Sequence, residues 1–236
     1  MNGPEINQGG GYFPIPNPER YDNVQVKLDS VLSRFGMVVE GRDNLYSLAR
    51  REGGNGVIIA STHDSWMDIA VLGAANDAAR MRFLGKAEVW NWPYIGKLAV
   101  DAGAFSVNRQ HQDSRHAAID TTVKMLDNGE WVTMYIEGTR NRSKEGRTMG
   151  KIKTGVARAA LQASGVTPIL PVAIGYRRSL VRRSPSIRKP VIIFGEPDFI
   201  HQGPADSRIV SELTESIGEK LLLVKNRAMD IVEGKV

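Results

Sequence analysis

His63 and Asp68 stand five positions apart in Ser61-Thr62-His63-Asp64-Ser65-Trp66-Met67-Asp68, directly after the apolar run Val57-Ile58-Ile59-Ala60. A histidine with a carboxylate partner can take a proton from a hydroxyl near neutral pH. A β-branched run that breaks into a polar turn is also a usual place for catalytic groups in α/β proteins. The spacing constrains the pair. On one continuous helix of roughly 3.6 residues per turn, five residues turn about 140°, so the two side chains cannot share a face. His63 is therefore expected in the turn, and Asp68 in the first turns of the helix after it. Alone, such a pair is more often structural, and Asp64 beside it is ambiguous, since it can simply cap that helix.

Two further segments give the pair company. Tyr135-Ile136-Glu137-Gly138-Thr139-Arg140-Asn141-Arg142-Ser143 ends an apolar run with an acid, a glycine, a hydroxyl and two arginines. Glycine lets a backbone approach a ligand closely, and arginine forks suit phosphate. Gly103-Ala104-Phe105-Ser106-Val107-Asn108-Arg109 is another run ending in an arginine. Ends of parallel strands converge on one crevice, which would gather His63, Asp68, Arg109 and Glu137 to Arg140.

The elements that would carry these groups alternate along the chain. Helical spacing runs over Glu19–Phe35, Ser65–Ala75 with Ser65 as N-cap, Trp90–Val100, Ser114–Leu126, Ile152–Ala163 and Asp206–Val232, with Gly218 a candidate interruption in the last. Short apolar runs predict strands at Met37–Val39, Val57–Ala60, Arg82–Leu84, Ala104–Val107, Trp131–Ile136, Ile169–Ile174 and Val191–Phe194. His201 falls in a loop after the last of these. The pattern predicts an α/β fold: a single domain over 19–236 after a flexible tail over 1–18, with a mostly parallel mixed sheet of about seven strands and helices on both faces.

Composition narrows the chemistry. There is no cysteine, which removes thiolate nucleophiles and cysteine metal sites. His63, Asp64, Asp68 and Glu137 are possible ligand types, but one histidine among scattered acids is no metal motif, and no metal is expected. The formal charge of +5 suggests an anionic partner. No apolar run is long enough to span a bilayer, and the Gly-, Pro- and Asn-rich start has no signal-peptide pattern. The expectation is a soluble or membrane-surface protein. The segment from Arg177 to Lys189 holds six basic residues and no acid, and is expected to meet phosphate or anionic lipid. Trp66, Trp90 and Trp92 stay open between packing and lipid contact. His116, five residues after His111, reads as solvated.

In order, the blocks HDSWMD (63–68), GAFSVNR (103–109), EGTRNRS (137–143) and PILPVAI (168–174) resemble those of the glycerolipid acyltransferase family. Its best-known members are 1-acylglycerol-3-phosphate acyltransferases. Lys86 in FLGKAEVW and the stretch KIKTGVARAA (151–160) resemble further family features. Asn141 stands where the family often has serine. Many members carry N-terminal membrane-spanning helices, a pattern missing from this sequence.

The resemblance implies a glycerol-3-phosphate acyltransferase-like fold. It also implies transfer of a fatty acyl group from acyl-CoA or acyl carrier protein to the free hydroxyl of a lysophospholipid. His63 would be general base and Asp68 its orienting partner. Lys86, Arg109 and Arg140 would hold the acceptor phosphate, with Glu137, Gly138 and Thr139 shaping the site. No cofactor is implied. Such an enzyme would work in the cytoplasm, peripherally on the inner face of the cell membrane, against an anionic surface. The alternatives are another lipid acceptor, or a non-enzymatic basic membrane- or nucleic-acid-binding protein. The sequence has no nucleic-acid-binding signature, so no nucleic-acid partner is expected.

Overall fold

The computed structural model describes residues 18–33, 36–86, 104–107, 112–141, 143, 146–177 and 189–236. At the middle of its sheet lies β2 (Ile58–Ser61), with all its residues buried. An apolar run of this kind suits a strand covered on both faces. β2 pairs in parallel with β5 (Trp131–Tyr135) on one side and β6 (Val166–Gly175) on the other. Beyond β5 lie β3 (Met81–Lys86) and β4 (Ala104–Val107), both parallel. Beyond β6 lie antiparallel β7 (Val191–Phe194) and then β1 (Val38–Glu40), parallel to β7. The order is β1-β7-β6-β2-β5-β3-β4.

The mostly parallel sheet expected from the sequence is present, with an eighth strand, β8 (Asp198–His201). β8 runs antiparallel to the first residues of β6, with His201 opposite Val166. His201 therefore closes a strand rather than lying in a loop. β6 is ten residues long. Its second half pairs with β7 and its first half would be an open edge without β8, which covers it.

Helices cover both faces. Leu45 and Leu48 of α2 (Arg42–Ala49) pack with Val71, Leu72 and Ala75 of α3 (Asp68–Ala75) on one face. The other face holds Met125 and Leu126 of α4 (Gln112–Asp127), Val156 and Ala160 of α5 (Gly155–Gln162), and Ile217 and Leu221 of α6 (Ser207–Glu233). α1 (Pro18–Ser33) starts at Pro18, which the sequence assigns to the tail. It is pinned by buried Tyr21, whose hydroxyl accepts from the Met81 N–H at 2.7 Å.

α6 is continuous for 27 residues, from the Asp206 cap to Gly234 in the left-handed conformation. Gly218 does not interrupt it. This glycine is buried where a side chain would meet Ile152, so it serves packing. α5 starts later than its periodicity suggests, because the Lys153 N–H is drawn to the Ile136 carbonyl at 2.8 Å before the helix begins. The helix expected over Trp90–Val100 lies outside the described residues.

Candidate active site

The site is built where β2, β5 and β6 end. After Ser61 the chain stays on the sheet for one residue, with the Thr62 N–H donating to the Val172 carbonyl at 3.1 Å. It then winds around a single carboxylate. Asp68 Oδ2 accepts from the backbone N–H groups of Asp64 at 2.8 Å and Ser65 at 2.9 Å, and from His63 Nδ1 at 2.8 Å. Asp68 Oδ1 accepts from the Tyr176 hydroxyl at 2.6 Å. Asp68 is fully buried, and four donors offset the desolvation of its charge.

This arrangement explains why α3 begins at Asp68 and not at Ser65. The residues before it spend their N–H groups on the Asp68 carboxylate, and Ser65 Oγ accepts from the Met67 N–H at 3.2 Å within the turn. His63 accordingly lies outside the helix that carries Asp68.

Three contacts fix His63. One is Asp68. The second is Tyr135 at the end of β5, whose ring stacks on the imidazole with centroids 4.2 Å apart. The third is the Asn141 N–H, which donates to the His63 carbonyl at 2.6 Å. A carboxylate only accepts, so Nδ1 carries the hydrogen, and in the neutral ring that leaves the lone pair on Nε2. The side chain is 19% exposed while Asp68 is sealed, so the imidazole alone of the pair can meet a substrate. Burial, followed by the Asp68 charge, pushes the Tyr135 and Tyr176 phenols well above their ordinary range. Both rings therefore stay neutral.

Asp64 does not cap the helix. Its carboxylate pairs with Lys225 of α6 at 3.0 Å, and the lysine is wholly buried. Tyr135, Tyr176 and Lys225 were not singled out from the sequence. For Lys225 a signal existed, since Ile217, Leu221, Lys225 and Ala228 recur along one buried stripe of α6.

The segment after β5 folds back over the strand end. Gly138 turns the chain at φ 67, a conformation suited to glycine. Glu137 is buried, and its Oε2 accepts from the Gly150 N–H at 2.7 Å. Thr139 and Arg140 are exposed, just before the Asn141 contact to His63. Lys86 is the last residue of β3. Arg109, Arg142, His111, Trp90, Trp92 and the basic positions 178–188 lie outside the described residues. No three His, Asp or Glu side chains group as a metal-holding cluster among the described residues.

A cavity of about 580 Å³ lies at the β5 end, between α4 and α5, and Tyr135 and Gly138 line it. Leu84, Ile119, Met134 and Val156 make it apolar, and Arg115, His116, Lys153 and Arg158 make it basic.

A family model described as Acyltransferase matches residues 36–175, more than half of the chain. The match takes in His63, Asp68 and Glu137–Arg140. The chain belongs to the acyltransferase family. Among its relatives, the 1-acyl-sn-glycerol-3-phosphate acyltransferase of Bacillus subtilis is 25% identical over 201 residues, covering 82% of this chain and 90% of the relative. The lyso-ornithine lipid O-acyltransferase of Pseudomonas aeruginosa is 37% identical over 141 residues, covering 59% of this chain and 49% of the relative. In fold the chain is similar to the crystal structure of the 1-acyl-sn-glycerophosphate acyltransferase of Thermotoga maritima. The TM-score is 0.61 at 20% identity, over 88% of this chain and 82% of that one. The expected O-acyltransferase class holds, and the reading as a non-enzymatic basic binding protein falls away.

Proposed function

We propose that this acyltransferase moves a fatty acyl group from a thioester to the free hydroxyl of a lysophospholipid, with 1-acylglycerol-3-phosphate as acceptor and phosphatidate as product. The observation that carries the reading is the His63–Asp68 pair: 2.8 Å apart, with the imidazole partly exposed and the carboxylate sealed. His63 Nε2 takes the hydroxyl proton as the acceptor oxygen attacks the thioester carbonyl. The carbon–sulfur bond breaks, and the imidazolium returns the proton to the leaving thiolate of coenzyme A or an acyl carrier protein. Asp68 holds the ring and stabilises its cation. Lys86, Arg109 and Arg140 hold the acceptor phosphate. Glu137 and Gly138 shape the turn, and Thr139 faces the acceptor. The relative from Bacillus, similar over most of both chains, supports this acceptor.

A second acceptor is favoured by the higher identity to the Pseudomonas lyso-ornithine lipid enzyme. Scanning acceptors on the purified protein separates the two. With one long-chain acyl-coenzyme A, thiol release should be fastest with 1-acylglycerol-3-phosphate. Faster release with lyso-ornithine lipid would move the assignment to the second acceptor, and release with neither would remove both.

The protein works on the inner face of the cell membrane as a peripheral enzyme. In support, Trp66 is 70% exposed and Ile69 38% exposed beside the His63 turn. No helix among the described residues is long and apolar enough to cross a membrane.

A further inference from the structure

The cavity at the β5 end carries cations to which the acyl-transfer reading gives no role. Its floor is apolar, with Met134 from β5, Leu84 from β3, and Ile119 and Val156 from the covering helices. Arg115, Lys153 and Arg158 all line it, from α4, the loop before α5, and α5. No acidic residue lines it among the described residues, and none of these three cations has an acidic partner among them. Cations that line a concave apolar surface without a counter-charge suit an anion that carries an apolar chain.

The cavity is also tied to the catalytic turn. Tyr135 lines it and stacks on His63. Lys153 is held at the β5 end by its N–H bond to Ile136, in the segment whose Gly150 N–H is anchored on Glu137. That same segment reaches His63 through the Asn141 N–H. A ligand in the cavity would therefore lie against the strand end that carries the reacting groups.

We propose that the cavity is a second anion site, in which Arg115, Lys153 and Arg158 bind the phosphate ester of one of the two substrates while the apolar floor receives its chain. The inference rests on the acyl-transfer reading and goes beyond it. It adds a basic set distinct in sequence from Lys86, Arg109 and Arg140, and Arg140 does not line the cavity. Both substrates carry the required chemistry, the donor in the phosphates of coenzyme A and the acceptor in its one phosphate monoester, whose seat here would replace the one assigned to Lys86, Arg109 and Arg140.

The test is calorimetric titration of the full chain with coenzyme A and, separately, with 1-acylglycerol-3-phosphate. Wild type is compared with Lys153→Gln, Arg158→Gln, the double variant and the charge-keeping Arg158→Lys. Melting temperatures confirm that each is folded. Loss of a charge-assisted contact should weaken binding of one ligand roughly tenfold to a hundredfold, with partial rescue in Arg158→Lys. Loss confined to coenzyme A assigns the cavity to the donor, and loss confined to the lysolipid assigns it to the acceptor. Unchanged affinity for both ligands in the folded double variant would overturn the site, as would a wild type that binds neither. Binding is read without turnover, so the two readings fail separately. A protein that binds but transfers nothing loses only the acyl-transfer reading. A double variant that transfers with unchanged KM for both substrates loses only the cavity.

Discussion

At the residue scale the site is one buried carboxylate with four donors on it. Asp68 sets the His63 tautomer only if its own position is fixed, and Tyr176 and the two backbone N–H groups fix it. Tyr176→Phe keeps the ring and removes a hydrogen bond to a charged group. Unfolding in urea should show a loss of roughly 1.5–3 kcal/mol, and kcat should fall by less than in a His63 variant. The same phenol makes a pH prediction. Its pKa in the folded protein is raised above the ordinary 10.0, by burial first and the Asp68 charge next. The stability that depends on its neutral form is complete below about pH 10 and is lost as the pH rises towards the folded-state value. Melting temperatures on that alkaline side should fall less steeply in Tyr176→Phe than in wild type.

At the element scale α6 acts as a brace for the His63 turn. Lys225 reaches Asp64, one residue from His63, and both are buried. Removing Lys225 takes a buried counter-charge away from Asp64. Lys225→Met should therefore lower stability in chemical denaturation, by less than the roughly 3–5 kcal/mol of a wholly uncompensated buried charge, and adding Asp64→Asn should restore part of that loss. At its far end α6 is tied to the loop after β5, where Arg147 meets Asp230 at 2.8 Å and Glu233 at 2.7 Å. Hydrogen bonding from Arg147, then from Lys235, lowers Glu233 from 4.5 to about 2. Its contribution is complete above about pH 4.5 and is lost as the pH falls towards 2. Glu233→Gln should flatten the acid side of the melting curve over that interval. Element by element, legibility followed burial. β2, β5, β6 and β7 are apolar runs that declare themselves. α2 escaped because two leucines on eight residues make too short a period. β8 escaped because its burial alternates without an apolar run. Lys225 escaped because a lysine on a helix reads as solvated, although its position on the buried stripe contradicted its type.

At the scale of the whole molecule, the parallel core of the sheet brings the ends of β2 and β5 to one edge, where the His63 turn meets the Glu137–Asn141 turn. The hydrogen-bonded turn around Asp68 was foreshadowed by the five-residue spacing, but its Tyr176 and Tyr135 partners come from strand pairings across the sheet that no local pattern encodes. The cavity was equally hidden, since its cations come from separate elements. The net charge of +5 and exposed Trp66 suit an enzyme that meets its acceptor at an anionic bilayer, where each basic residue near the surface contributes about 1 kcal/mol. Sedimentation with phosphatidylglycerol vesicles should show binding that weakens with salt. Trp66→Ala should lower it further, and no effect of either change would remove the peripheral placement.

Whether His63 is the general base of acyl transfer is decided by one rate comparison. Purified wild type and His63→Ala are given the same long-chain acyl-coenzyme A and 1-acylglycerol-3-phosphate, with circular dichroism confirming that both are folded. Thiol release should fall by roughly 10²–10⁴-fold in the variant. A folded His63→Ala protein that transfers at the wild-type rate would contradict it.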